Sequence, residues 1–238
     1  MITGILLIFN WTPPTKGFDN YKTSPFHPCI HNFGNTGFSG RIHAKYAIFA
    51  TKIIDKVAYK GRNMRKELAN GIYEIKDDST SILEVGCGVG TLTKQLQKVG
   101  FYDITAIDTS NEMLEEARKN VKNVTFENEN GAVYKKDVDL AIVSMVMHEM
   151  PESAHIKMTK NLLKCVSKKN GEVWIIDIDP SYKPSIFMKS GEPYVQDYLK
   201  NIEKCLYDLS LEQEVDLKTF NIVDNHVRVW VFRFLDTD

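Results

Sequence analysis

Between residues 81 and 181, short apolar runs alternate with amphipathic segments of helical period, and this alternation restricts the chain more than any other feature. A parallel strand reaches its neighbour only by a crossover, so the pattern calls for strand–helix–strand units and a largely parallel sheet. SILEV reads as a first strand, TLTKQLQKV as a helix stopped by Gly100, and DITAID as a second strand. Ser110 is placed to cap the helix NEMLEEARKN, with Glu112 near its positive end. DLAIVSMV reads as a strand buried on both faces. Pro151 opens a long helix carrying Ile156, Leu162, Leu163 and Val166, with Gly171 as its stop, and EVWIIDI is the next strand.

The flanks differ in texture. Up to about Asn35 the chain is loop-like, rich in Pro, Gly, Asn, aromatics and His. Ile42, Tyr46, Phe49, Ile53 and Val57 then recur at helical steps, a stripe expected to face the core, and a short helix follows near Arg62–Asn70. After Pro180 a loop with Pro184, Gly191 and Pro193 leads into a helix carrying Val195, Tyr198, Leu199, Ile202, Leu206 and Leu209. VDLKTFNIV and HVRVWVFRF close the chain as antiparallel neighbours across the turn at Asp224–Asn225. The expected division is a 1–80 arm and helical cap, then an 81–238 domain in which 182–212 is a helical insertion on the substrate side.

Charge and cysteine usage narrow the partners. A formal net charge of −1, with no block of like charges, gives no support for nucleic acid. Cys29, Cys87, Cys165 and Cys205 form no C-x-x-C pair, which points to a reducing, cytoplasmic setting and away from a disulfide framework. The run MITGILLIF lacks a basic leader and a cleavage site, and no stretch has the length to cross a bilayer, so no membrane insertion is expected.

The stretch LEVGCGVG, Leu83–Gly90, joins the first strand to the first helix. A dinucleotide loop spaces its glycines as G-x-G-x-x-G; here Thr91 holds the third slot and Gly90 comes one residue early. No G-K-[ST] follows, so a P-loop fails. Glu84, two residues before the first glycine, is unfavourable beside a pyrophosphate and suits a ligand with an ammonium group. Asp108 ends the second strand, where a carboxylate accepts hydrogen bonds from ribose hydroxyls, or where it serves the turn before Ser110.

E-x-G-C-G-x-G after a strand, then IDTSNEML, then DLAIVSMVMHEMP, together resemble the class I S-adenosylmethionine-dependent methyltransferases, in particular the small-molecule type similar to quinone-biosynthesis methyltransferases. The likeness covers about 80–180 and agrees with the terminal antiparallel hairpin. It implies an α/β fold with a seven-stranded Rossmann-like sheet, mostly parallel with an antiparallel last strand, flanked by helices and preceded by an N-terminal cap or arm. It also implies S-adenosyl-L-methionine as cofactor, S-adenosyl-L-homocysteine as product, and in-line transfer of a methyl group to a small organic acceptor.

Carried over by residue, Glu84, Gly86, Cys87, Gly88 and Gly90 would line the methionine end, with Glu84 near the amino group. Asp108 would hold the ribose, and Thr109 and Met113 would flank the adenine. The family's G-D-A stretch corresponds to ENENGAVY, so Asn130 with Gly131, or Glu129 instead, would read the adenine. Ser144 and Met145 would reach the sulfonium side. His148 and Glu149 are the catalytic candidates, with His148 acting either as a base near the acceptor or as an anchor of its loop. His31, Phe33, His43, Tyr46 and Tyr194 are candidates to contact the acceptor, or aromatics that pack the arm onto the domain.

No metal is expected. Asp177 and Asp179 are the nearest carboxylates for one, and Asp179–Pro180 reads more simply as a turn. His27, Cys29 and His31 alternate on one face without a matching second pair. Two other functions compete: a non-catalytic S-adenosylmethionine-binding partner or sensor, and a nicotinamide-dependent oxidoreductase, against which Thr91 and the terminal hairpin count.

Overall fold

A computed structural model describes residues 37–167 and 171–235. His31 and Phe33, with the 27–31 histidine–cysteine run, lie outside them. Two helices, α1 (Gly37–Val57) and α2 (Met64–Ile75), precede the sheet. The sheet strands are β1 (Ile82–Val85), β2 (Ile104–Asp108), β3 (Thr125–Asn128), β4 (Leu140–Ser144), β5 (Glu172–Ile178), β6 (Val215–Val223) and β7 (Val227–Phe234). Between them run α3 (Thr91–Val99), α4 (Asn111–Asn120), α5 (Glu152–Ser167), the short α6 (Ile186–Gly191) and α7 (Val195–Glu212). The strand order is β3-β2-β1-β4-β5-β7-β6. The first five strands pair in parallel, while β7 is antiparallel to both β5 and β6. Six strands therefore share one direction and β7 alone is reversed, the seven-stranded Rossmann-like sheet expected from the sequence.

Local signals place the helix ends. Ser110 caps α4, its hydroxyl oxygen accepting from Met113 N at 3.2 Å. Gly100 ends α3 at φ 124°, a backbone conformation that L side chains rarely adopt. Two elements had no clear periodicity of their own. β3 is a four-residue edge strand of mixed exposure, and α6 occupies part of the span expected to be loop.

Strand alternation divides the core into two layers. Leu83, Val85, Ala141, Val143, Val173 and Ile175 pack on the face covered by α5 and α7. Ile82, Leu140, Ile142, Trp174 and Ile176 pack on the face covered by α2 and α3. Glu84 shares the parity of Ile82, so it points to the α3 side, where Thr93 Oγ1 donates to its Oε2 at 2.6 Å.

The stripe expected to bury α1 does the opposite. Among the described residues, Ile42, Tyr46, Phe49, Ile53 and Val57 range from 45% to 75% exposed, and the buried positions of α1 are Gly40 and Ala44. Small residues let α1 lie close against Val89 and Met113, with Ala47 and Ile48 beside them. The contact thus turns the bulkier stripe outward. Helical periodicity identifies a face, but the fit of the partner surface decides which face is covered.

Candidate active site

A cavity of about 260 Å³ opens at the C-terminal ends of β1, β2 and β4, the end at which open α/β sheets bind ligands. Its floor is the turn after β1. Gly86 N and Cys87 N donate to Ile107 O at 2.8 and 3.1 Å, folding the turn back onto β2. Gly86 is required twice over: its φ is +70°, and a Cβ there would lie 2.4 Å from Val146 Cγ2. Gly88, at φ +53°, has open space where its Cβ would be.

Two carboxylates stand along this floor. Asp108 receives Gly88 N on Oδ2 and Ser110 N on Oδ1, each at 2.8 Å. It therefore serves the glycine turn and the turn before Ser110, and it also lines the cavity. Burial raises its carboxyl above the ordinary value, against the pull of those backbone donors. Glu84 is 2% exposed, and burial pushes its carboxyl up to about 7, more than the Thr93 hydrogen bond lowers it. A carboxylate this desolvated is prepared for a cationic partner.

Of the residues singled out in the sequence, Glu84, Gly86, Cys87, Gly88, Asp108, Thr109, Met113, Gly131, Ser144, Met145, Glu149 and His43 line the cavity together. Gly90 does not; it opens α3 against Ala117 and Val121 of the α4 region. Asn130 is replaced by its neighbour: Glu129 lines the cavity, while Asn130 Oδ1 accepts from Ala132 N at 2.9 Å. Tyr46 is exposed on the outer face of α1, and Tyr194 precedes α7; neither lines the cavity. Met145 holds φ 58°, an uncommon conformation for a side-chain-bearing residue, just past β4.

The sequence reading missed Arg65, Ala47 and Thr51, which line the same cavity. Arg65 reaches it from α2, with Nη1 3.4 Å from Asp55 Oδ1 of α1. His43, Ala47 and Thr51 succeed one another at steps of four, so they share one helical face. That spacing was legible in the sequence, but the neighbouring bulkier stripe drew the reading.

His148 sits in a 3-10 turn, Met147–Glu149, behind the cavity wall. Its Nδ1 meets Asp177 Oδ1 at 2.7 Å, and its backbone N donates to Asp177 Oδ2 at 3.2 Å. Burial opposes charge on the ring, but Asp177 outweighs it and lifts the imidazole to about 9. Tyr198 lies edge-on to the ring and donates its hydroxyl to Ile178 O at 2.7 Å. Asp179 accepts from Ser181 N and Ser181 Oγ at 2.7 and 2.6 Å and pairs with Arg228, so it serves the turn as expected.

Known proteins share this fold. Residues 82–171 match the family described as a methyltransferase domain. A curated relative, the malonyl-[acyl-carrier protein] O-methyltransferase of Bacillus cereus, is 40% identical over 73 residues. That match spans 27% of this chain and 27% of the relative, so this chain aligns with only about a quarter of it. A TehB-like SAM-dependent methyltransferase from Corynebacterium glutamicum superposes with a TM-score of 0.60 at 17% identity, over 82% of this chain and 99% of that one. The plantazolicin methyltransferase BpumL, solved in complex with SAH, superposes at 0.58 and 17% identity, over 82% and 95% of the two chains. At such identities the superpositions speak for the fold.

Proposed function

We propose that this chain, whose residues 82–171 match a methyltransferase domain and whose fold is shared with SAM-dependent methyltransferases, transfers a methyl group from S-adenosylmethionine to a small organic acceptor. One observation carries the reading: the cavity has Glu84 and Asp108 as separate carboxylates, with a glycine turn lying between them in sequence and, among the described residues, open space beside Gly88. That set fits a ligand with an ammonium end and a ribose, and it does not fit a pyrophosphate. Glu84 would take the amino group, Asp108 the ribose hydroxyls, Arg65 the carboxylate, and Met113 the adenine ring, with Glu129 in reach of the adenine amino group. When bound, the cofactor supplies a methyl group already activated by its sulfonium.

The chain's own task is then alignment and exclusion of water. His43, Ala47 and Thr51 wall the cavity from α1, and Ser144–Val146, Glu149 and Met150 wall it from the end of β4. His148 acts as a positioning residue: Asp177 holds it at both backbone and ring, and it orients the turn that presents Glu149. Glu149, raised to about 8 by burial, is the acid that faces the acceptor side. No helix among the described residues is long and apolar enough to cross a membrane. Cys87, Cys165 and Cys205 are buried thiols, in keeping with the proposed reducing, cytoplasmic setting.

Calorimetry tests the reading. S-adenosylhomocysteine should bind at one equivalent and NADH should not. The reverse pattern would assign the fold to a nicotinamide cofactor. Cofactor binding with no turnover of any acceptor in a host metabolite extract supplied with tritiated methyl donor would favour a sensor.

A further inference from the structure

Three potential ligands meet behind the cavity wall, from two distant parts of the chain. They are His148 and Glu149 of the 3-10 turn and Glu192, which closes α6. One ring nitrogen of His148 and one carboxylate oxygen from each glutamate lie within 4.8 Å of one another. Ligands held about 2.1 Å from a common ion stand roughly 3–3.5 Å apart, so this spread needs only side-chain adjustment.

Two further observations point to a missing partner. Asp177 takes His148 Nδ1 at 2.7 Å, which leaves Nε2 as the nitrogen available to bind. The His148 side chain is only 8% exposed and lies with Glu149 and Glu192. Glu192 Oε2 is buried and without a hydrogen-bond partner among the described residues. Leaving that oxygen unsatisfied is costly, and a cation bound at the cluster removes the cost. The carboxylate behind the histidine is the arrangement that fixes the tautomer and orientation of a metal-ligating imidazole. Asp177 is fully committed to that task, since its Oδ1 also accepts from Ile178 N at 2.7 Å.

We propose that His148 Nε2, Glu149 and Glu192 form a binding site for a divalent first-row transition cation, with Asp177 as the group that orients the histidine. One nitrogen and two carboxylates suit Mn²⁺ or Zn²⁺, and three protein ligands leave positions open. Glu149 also lines the cavity, so an acceptor with an oxygen donor bound there would be placed to complete the coordination. This role for the cation rests on the methyl-transfer reading; its binding does not. The expectation of no metal weighed Asp177, Asp179 and the 27–31 run and not Glu192, which lies 43 positions from Glu149 and meets it only in the fold.

The test is titration of chelator-stripped protein with Mn²⁺, followed by the resonance of the unbound ion, without cofactor. Wild type should take up one equivalent, and Glu192→Gln should bind at least about tenfold more weakly. Its affinity for S-adenosylhomocysteine should stay within twofold. No uptake at one equivalent, or equal uptake by Glu192→Gln, overturns the proposal. Should that variant not fold, wild type alone decides: Mn²⁺ should broaden the imidazole signals of His148 before those of His226, and uniform or absent broadening overturns the proposal. Failure of wild type to bind S-adenosylhomocysteine would instead overturn the methyl-transfer reading, leaving the Mn²⁺ result to stand by itself.

Discussion

Glu84 should make cofactor binding depend on pH. In the ligand-free protein its carboxyl is 2% exposed and raised to about 7 from 4.5, chiefly by burial. A raised carboxyl favours the folded state while it is protonated. That contribution is present below the ordinary value and is lost as pH rises from about 4.5 through about 7, for a total of about 3 kcal/mol. A bound ammonium group reverses the preference by stabilising the carboxylate, so binding must expel the proton wherever Glu84 still holds it. Near pH 6 about 0.9 proton should leave per cofactor bound, and near pH 8 about 0.1. Affinity should fall about 25-fold between pH 7.5 and 5.5, or about 2 kcal/mol. Isothermal calorimetry of S-adenosylhomocysteine in buffers of different ionisation enthalpy reads both quantities. In Glu84→Gln the proton release should vanish and the profile flatten, at weaker affinity throughout. A flat wild-type profile, or the same slope in Glu84→Gln, would refute the assignment of the ammonium to Glu84.

Asp108→Ala should weaken S-adenosylhomocysteine binding by about 1–3 kcal/mol, measured by the same calorimetry. It should also lower the melting temperature of the ligand-free protein, since Gly88 N and Ser110 N lose their acceptor; a drop in affinity with no thermal change would separate the ribose role from the turn role. Gly131→Ala places a Cβ 2.4 Å from Val85 Cγ1 and 2.8 Å from Met158 Sδ, and should cost about 1–3 kcal/mol in urea unfolding.

The parts of this protein legible from its residues are those set by neighbours a few positions apart. Alternation of apolar runs with helical segments located β1, β2, β4 and β5 and the helices between them, and the Asp224–Asn225 turn made β6 and β7 antiparallel. Ser110 and Gly100 marked helix ends because capping is completed within one turn. That the glycine turn, Glu84 and Asp108 line one cavity was readable because all sit at the ends of two neighbouring strands. β3 escaped notice because four residues of mixed exposure carry too little period to register.

The tertiary structure decided what depends on surfaces meeting. Which face of α1 is covered was settled by the close fit of Ala44 against Val89 and Met113, not by the hydrophobicity of Ile42 or Phe49. Arg65 joined the cavity through packing of α2 on α3, which no local spacing encodes. His148 found Asp177, 29 positions away, because β4 and β5 pair in parallel with Ser144 beside Ile176. Sheet register carries each side chain to its partner through bonds made far along the chain. The residues that would shape the cofactor floor therefore come from local sequence, while the acidic surroundings of His148 exist only once the sheet is assembled.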